Sequence, residues 1–322
     1  MLSPDAKTFW LVGGALALLA VATSLGQLLK RQTNSNLNPE VVRLFHLRIR
    51  TWWLMCSVLA ASFLAGRVAT VVVFGGISFW ALREFVTLTP TRPGDHRALF
   101  WVFFVFTPLQ YLLVGMENYE LYSVLIPVYG FLFIPARAAF AGDYKRFLER
   151  AAKIQSGLMI CVYCLSFAPA LLSLNLPRPE GEDGYLQNAR LLFFFVLVVQ
   201  MGDVLQYVWG KLLGRNVIAP AINPDKTWEG FIGGVASATL LGTALYWTTP
   251  FQPWDAAALS LLISVTGFAG GMTMSAIKRD RGVRDYGTLV TGHGGVLDRI
   301  DSLCFAAPVF FHAVRGLYAV AS

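Results

Sequence analysis

Runs of about 20 mainly apolar residues, each long enough to cross the hydrocarbon core of a bilayer, recur from one end of this chain to the other. Ten are expected, near residues 9–29, 51–66, 68–88, 99–115, 119–140, 154–174, 188–209, 230–248, 255–277 and 303–320. The connectors between them leave no room for a separate soluble domain. Only 14% of the 322 residues are charged, against roughly 25% in soluble domains. The fold class that follows is all-α: a polytopic transmembrane helical protein of about ten spans in a single membrane domain, 1–322. The first run is too long for a removed signal peptide and lacks a small-residue cleavage pattern, so it reads as a retained helix.

The positive-inside rule orients the spans. With both termini outside, all but Lys7, Arg67, Arg178, Arg190 and Arg315 of the 26 lysines and arginines fall on the inner side. The net charge of +7 thus reports topology first, and inner basic loops also attract anionic headgroups or nucleotides. No basic stripe with interleaved aromatics is present, so a nucleic-acid partner is not expected. Cys56, Cys161, Cys164 and Cys304 imply no disulfide framework. The Cys161/Cys164 step lies in an apolar run, where packing is the expected role.

The two halves differ. Residues 1–180 carry scattered charges and ordinary connectors, as expected of a helical scaffold. Pro177–Asp183 reads as an outer solvated turn, and residues 181–322 concentrate polar groups beside the inner face. Asp203 lies inside an apolar run, where a carboxylate defaults to a functional hypothesis. Gln200, Asp203 and Tyr207 share a helix face at this spacing, with Gln206 nearby; a helix-to-helix hydrogen bond or snorkelling at the interface is the structural alternative. Gly210-Lys211 and then Asn223-Pro224-Asp225-Lys226-Thr227-Trp228-Glu229-Gly230 suggest a turn opening onto a helix. Such a start offers backbone N–H groups to an anion. The spacing is not that of a Walker loop.

The densest segment holds Ser275, Lys278-Arg279, Arg284-Asp285, Gly292-His293-Gly294-Gly295 and Asp298-Arg299-Ile300-Asp301. Asp298 and Asp301, three apart, face the same way on a helix. Paired carboxylates beside a basic cluster suit a divalent cation bound to phosphates, and the glycines would free N–H groups to line a phosphate site. Salt bridges capping the last helix are the structural alternative, and they account poorly for His-Gly-Gly.

The run from Ser275 to Asp301 resembles the motif of the phosphatidate cytidylyltransferase family, the CDP-diacylglycerol synthases. Asp203, Gly210-Lys211 and Pro224-x-Lys226-Thr227-x-Glu229-Gly230 resemble the segment that precedes it. Arg48-Ile49-Arg50-Thr51-Trp52-Trp53 is similar to a bacterial paralogous branch. The resemblance implies transfer of a cytidylyl group from CTP to phosphatidic acid, with Mg²⁺ as cofactor, in a bacterial inner membrane. It also implies a homodimer. By motif position Asp298, Asp301, Lys278, Arg279 and His293 would be catalytic, with His293 orienting its loop or donating a hydrogen bond. Lys211, Lys226, Thr227, Ser275, Arg284, Gly294, Gly295 and Arg299 would bind substrate. Asp298 would hold the metal with Asp203 and Asp301 in support, and Asp285 is a further metal candidate.

Three positions depart from the family pattern: Arg284 replaces a lysine, Gly202 an asparagine, and Gly271 an aspartate expected to ligate the metal. A catalytically weakened homologue that binds lipid or nucleotide is therefore a second expectation. A transporter is the third, although inverted repeats and broken midplane helices are missing from the sequence.

Overall fold

The computed structural model describes residues 65–88, 91–177, 183–287 and 294–319, with isolated positions before residue 63. The described residues form an all-helical bundle with one small hairpin. The long helices are α1 (Arg67–Thr87), α2 (Pro93–Gly115), α3 (Tyr119–Ala139), α4 (Phe147–Ser173), α5 (Gly184–Leu213), α6 (Trp228–Ala244), α7 (Pro253–Asp280) and α8 (Leu297–Tyr318). All except the 17-residue α6 are long and apolar enough to span a membrane, and a turn of 3₁₀ helix, Tyr246–Thr248, extends α6 nearly to the end of its expected run. The eight expected spans from 68–88 onward each coincide with one of these helices. The expected spans 9–29 and 51–66 lie outside the described residues, apart from isolated positions.

Helices spanning lipid must satisfy every backbone polar group internally, and at two of the irregular turns here a hydroxyl takes a carbonyl. α2, α3 and α4 each contain a widened π turn, at Val102–Phe106, Leu125–Gly130 and Met159–Cys164. Thr107 Oγ1 donates to the Val102 carbonyl at 2.8 Å, and Ser78 of α1 donates to the Cys161 carbonyl. Gln110, fully buried, donates to the Tyr122 carbonyl and to Ser166 Oγ, both at 3.0 Å. The connectors between these helices are not the ordinary ones expected. Arg150 of α4 donates to Asp95 at 3.1 Å and Asp143 at 2.9 Å, forming a charged network that is buried at Arg150 and Asp95.

α8 is central, packed against α1, α4, α5 and α7. Phe310 stacks on Phe195 of α5 with ring centroids 5.1 Å apart, and both rings are fully buried. α6 lies tightly on α5 because its facing residues are small, the device of lipid-embedded helix pairs. A Cβ at Gly234 would stand 2.3 Å from Gln206 Cγ and 2.6 Å from its Cα. Gly234→Ala must therefore push the helices apart, with an expected loss of about 1–3 kcal/mol on unfolding in mixed micelles. An unchanged unfolding midpoint would show that the pair relaxes freely.

Antiparallel succession puts the ends of α1, α3, α5 and α7 and the starts of α2, α4, α6 and α8 on one face of the bundle. That is the face expected to be inner from its charge, and the polar residues around Asp203 and Asp298 lie there.

Candidate active site

The segment expected to be a turn before α6 is instead a two-stranded antiparallel hairpin. β1 (Val217–Ala219) pairs with β2 (Asn223–Thr227), with Val217 opposite Thr227 and Ala219 opposite Asn223. Strands this short are too marginal to form alone, and tertiary hydrogen bonds hold them. Glu229 in the first turn of α6 accepts from the Arg215 and Asn216 N–H groups at 3.1 and 3.2 Å, and from Asn216 Nδ2 at 2.6 Å. Asn223 Nδ2 donates to Ser275 Oγ on α7 at 3.1 Å, and Arg279 Nε donates to the Ile222 carbonyl at 3.1 Å. The hairpin is thereby tied to α7 as well as α6.

Alternation along β2 sends Asp225 and Lys226 opposite ways. Asp225 pairs with Lys211 at 3.0 Å, both exposed. Lys226 reaches back to α5, where its Nζ donates to Gln206 Oε1 at 3.0 Å and stands 3.7 Å from Asp203. Thr227, expected to touch substrate, is the N-cap of α6: its hydroxyl accepts from the Gly230 N–H at 3.1 Å. Ser275, also expected to touch substrate, donates to the Gly271 carbonyl at 2.7 Å while accepting from Asn223.

At the start of α8, Asp298 accepts three hydrogen bonds. Its Oδ1 takes Lys278 Nζ at 2.8 Å, and its Oδ2 accepts the Tyr286 and Gly295 N–H groups at 2.8 and 2.9 Å. One turn on, Asp301 accepts the Ser302 N–H at 2.8 Å and feels the charges of Asp203, Lys278 and Lys226. The structure thus brings three carboxylates, Asp203, Asp298 and Asp301, and the ammonium groups of Lys226 and Lys278 to one end of α5, β2, α7 and α8. Arg299 is fixed through its carbonyl, which accepts from Gln200 Nε2 of α5 at 3.0 Å. Arg284 and Asp285 are exposed between α7 and α8. His293 lies outside the described residues.

The expected phosphate-binding role of the glycines is altered by what the N–H groups actually meet. Gly294 has φ +80°, which suits glycine, and the Gly295 N–H is taken by Asp298. The next two N–H groups, of Val296 and Leu297, donate to the Glu84 carboxylate of α1 at 3.0 and 2.8 Å. Glu84 was not singled out from sequence. The signal was available, a carboxylate within an apolar run as at Asp203, but beside Arg83 it reads as the charged end of a span.

Among the described residues no group of three or more His, Cys, Asp or Glu side chains is placed to hold a metal ion. Mg²⁺ usually takes only one or two carboxylates and completes its shell with substrate phosphates and water. Asp203, beside Lys226, and Asp301 could supply two such carboxylates, while Asp298 already accepts three hydrogen bonds. A Cβ at Gly271 would meet Ser302 Oγ at 3.5 Å, an ordinary contact.

A family model described as the Cytidylyltransferase family matches residues 46–317. An uncharacterized protein of Escherichia coli (strain K12), YnbB, is 39% identical over 93% of this chain and 95% of its own length. The phosphatidate cytidylyltransferase of Staphylococcus aureus (strain COL) is 36% identical over 38% of this chain and 48% of its own. That of Brucella abortus biovar 1 is 39% identical over 44% of this chain and 51% of its own. The match thus spans about half the length of these two phosphatidate cytidylyltransferases. Family match, membrane-spanning helices and motif lead to one conclusion: this chain belongs to the cytidylyltransferase family.

Proposed function

We propose that the chain transfers the cytidylyl group of CTP to phosphatidic acid, at the inner face of a bacterial cytoplasmic membrane. A phosphate oxygen of the lipid attacks the α-phosphorus of CTP; a new P–O–P bond forms, the bond to the β-phosphate breaks, and pyrophosphate leaves. The products are CDP-diacylglycerol and pyrophosphate. The observation that carries this reading is the grouping, at one end of membrane-spanning helices, of Lys226 beside Asp203 and Lys278 beside Asp298, with Asp301 one turn further along α8. The attacking phosphate is already ionised, so no general base is required. The work left to the protein is alignment and charge neutralisation.

Lys226 and Lys278 offset charge on the triphosphate, and Arg279 and Arg284 lie at the edge of the same end. Mg²⁺, when bound between Asp203, Asp301 and the nucleotide, would supply further neutralisation of the phosphate oxygens. The membrane around the helices keeps the lipid phosphate at the depth of the site. A homodimer is part of the proposal on family resemblance alone.

The test is CTP-dependent formation of CDP-lipid by purified protein in phosphatidic-acid micelles with Mg²⁺. Asp203→Asn and Asp301→Asn should each lower kcat by about 10²–10³-fold, and EDTA should abolish product. Folded protein that forms no product would end the phosphatidate assignment.

Gly271 favours a second reading, a catalytically weakened homologue. A Cβ at Gly271 meets nothing closer than 3.5 Å, and Gly271→Asp separates the two. A rise from near-zero activity supports weakening, whereas a wild-type enzyme that is already fast excludes it.

A further inference from the structure

We propose that Glu84, in the last turn of α1, is the positioning residue that sets the start of α8 and through it Asp298 and Asp301. The inference rests on the cytidylyl-transfer reading and deepens it by bringing in a residue from the half of the chain expected to be scaffold.

Glu84 is 6% exposed, and its two oxygens each accept one N–H from Val296 and Leu297. The first N–H groups of a helix have no intrahelical partner and form its positive end, so an ionised carboxylate suits this place in charge and in hydrogen bonding. The fit admits little else. A Cβ at Gly295 would stand 2.2 Å from Glu84 Oε2, and one at Gly287 would stand 2.9 Å from Oε1. Backbone from both sides of residues 288–293 is therefore drawn against one side chain. The neighbouring residue acts the same way: Phe85 stacks on Tyr286 with ring centroids 6.2 Å apart. Tyr286 and Gly295 in turn direct their N–H groups at Asp298, which holds Lys278. A shift at residues 295–297 therefore moves Asp298 directly and Asp301 one helical turn later.

Both oxygens and the full length of glutamate are needed. Glutamine offers one acceptor and turns an NH₂ toward a backbone N–H. Aspartate is short by one carbon–carbon bond, about 1.5 Å. A cap that serves only stability would lower the unfolding midpoint and leave kcat per folded molecule unchanged, whereas a positioning residue changes kcat.

The experiment compares wild type, Glu84→Gln and Glu84→Asp in phosphatidic-acid micelles. It measures kcat and the KM for CTP, together with hydrogen exchange over residues 294–299. Both variants are expected to lose about 10–100-fold in kcat, as a misplacement near 1 Å does, with a smaller change in KM. Exchange at Val296 and Leu297 in Glu84→Gln is expected to quicken at least about tenfold as the local cap weakens. Unchanged kcat per folded molecule in both variants overturns the inference. If wild type itself makes no CDP-lipid, the proposed reaction fails instead, and exchange alone decides. Exchange that quickens at residues 294–299 while the unfolding midpoint holds then still supports the positioning of α8; unchanged exchange, or quickening only together with a lowered midpoint, overturns it.

Discussion

Replacing Lys278 with methionine is expected to reduce CDP-lipid formation by about 10²–10³-fold, the loss seen when one preorganised charge is taken from a transition state. The same change should destabilise the fold by about 3 kcal/mol, because a buried ion pair that loses one partner leaves the other charge uncompensated. Asp298 is the charge left behind, with its side chain 7% exposed. It keeps the N–H groups of Tyr286 and Gly295, which holds the loss at the lower end of the range for broken buried pairs. Adding Asp298→Asn to Lys278→Met removes the stranded charge, so the double variant should regain stability while remaining inactive. Unfolding in mixed micelles and a CDP-lipid assay on the same preparations separate the two effects. A double variant as unstable as the single one would show that the ion pair does not carry the stability.

The second large effect lies away from the motif. Arg150→Met should destabilise the protein by about 3–5 kcal/mol, with activity falling only as the folded fraction falls. Arg150 and Asp95 are 5% and 1% exposed, and Arg150 also reaches Asp143 and the Asp143 carbonyl. Removing the guanidinium strands Asp95, which among the described residues then keeps the Arg92 N–H at 3.0 Å. Despite some loss of hydration, the Asp143 carboxyl is held below its ordinary value by the Lys145 N–H and the Arg92 and Arg150 guanidiniums. A carboxylate with a lowered folded-state pKa contributes stability that is complete above its unfolded pKa and fades as pH falls through the folded value. Acid should therefore loosen this network first in wild type and have less left to remove in Arg150→Met. Unfolding midpoints for both proteins, measured at neutral and at acid pH, test this; a parallel decline would refute it.

The bundle was legible because the signal for a membrane helix is long and redundant. About 20 residues contribute to each span, and a stray polar residue does not erase the run. Asp203 was legible for the converse reason, since one carboxylate in such a run stands out. Glu84 carries the same signal but borders Arg83 at the end of its run, where charge is routine. The hairpin at Val217–Ala219 and Asn223–Thr227 was illegible. Three- and five-residue strands with Pro224 in one of them have no readable alternation, and their stability comes from Glu229, Ser275 and Arg279. The Arg150 network looked like scattered loop charge because its members stand 55 and 7 positions from their partner in the chain.

The sequence by itself determined that this is a multi-span helical membrane protein with its polar chemistry near Asp203 and between Ser275 and Asp301, since apolar length and spaced motifs are local properties. Only the tertiary structure decided how those residues are employed. It closes Asp298 with Lys278 and two backbone N–H groups, turns Thr227 into a helix cap, and directs Glu84 from α1 onto the start of α8. Each of these assignments depends on which groups meet across the bundle, and hydrogen bonds and ion pairs form between neighbours in space whatever their separation along the chain.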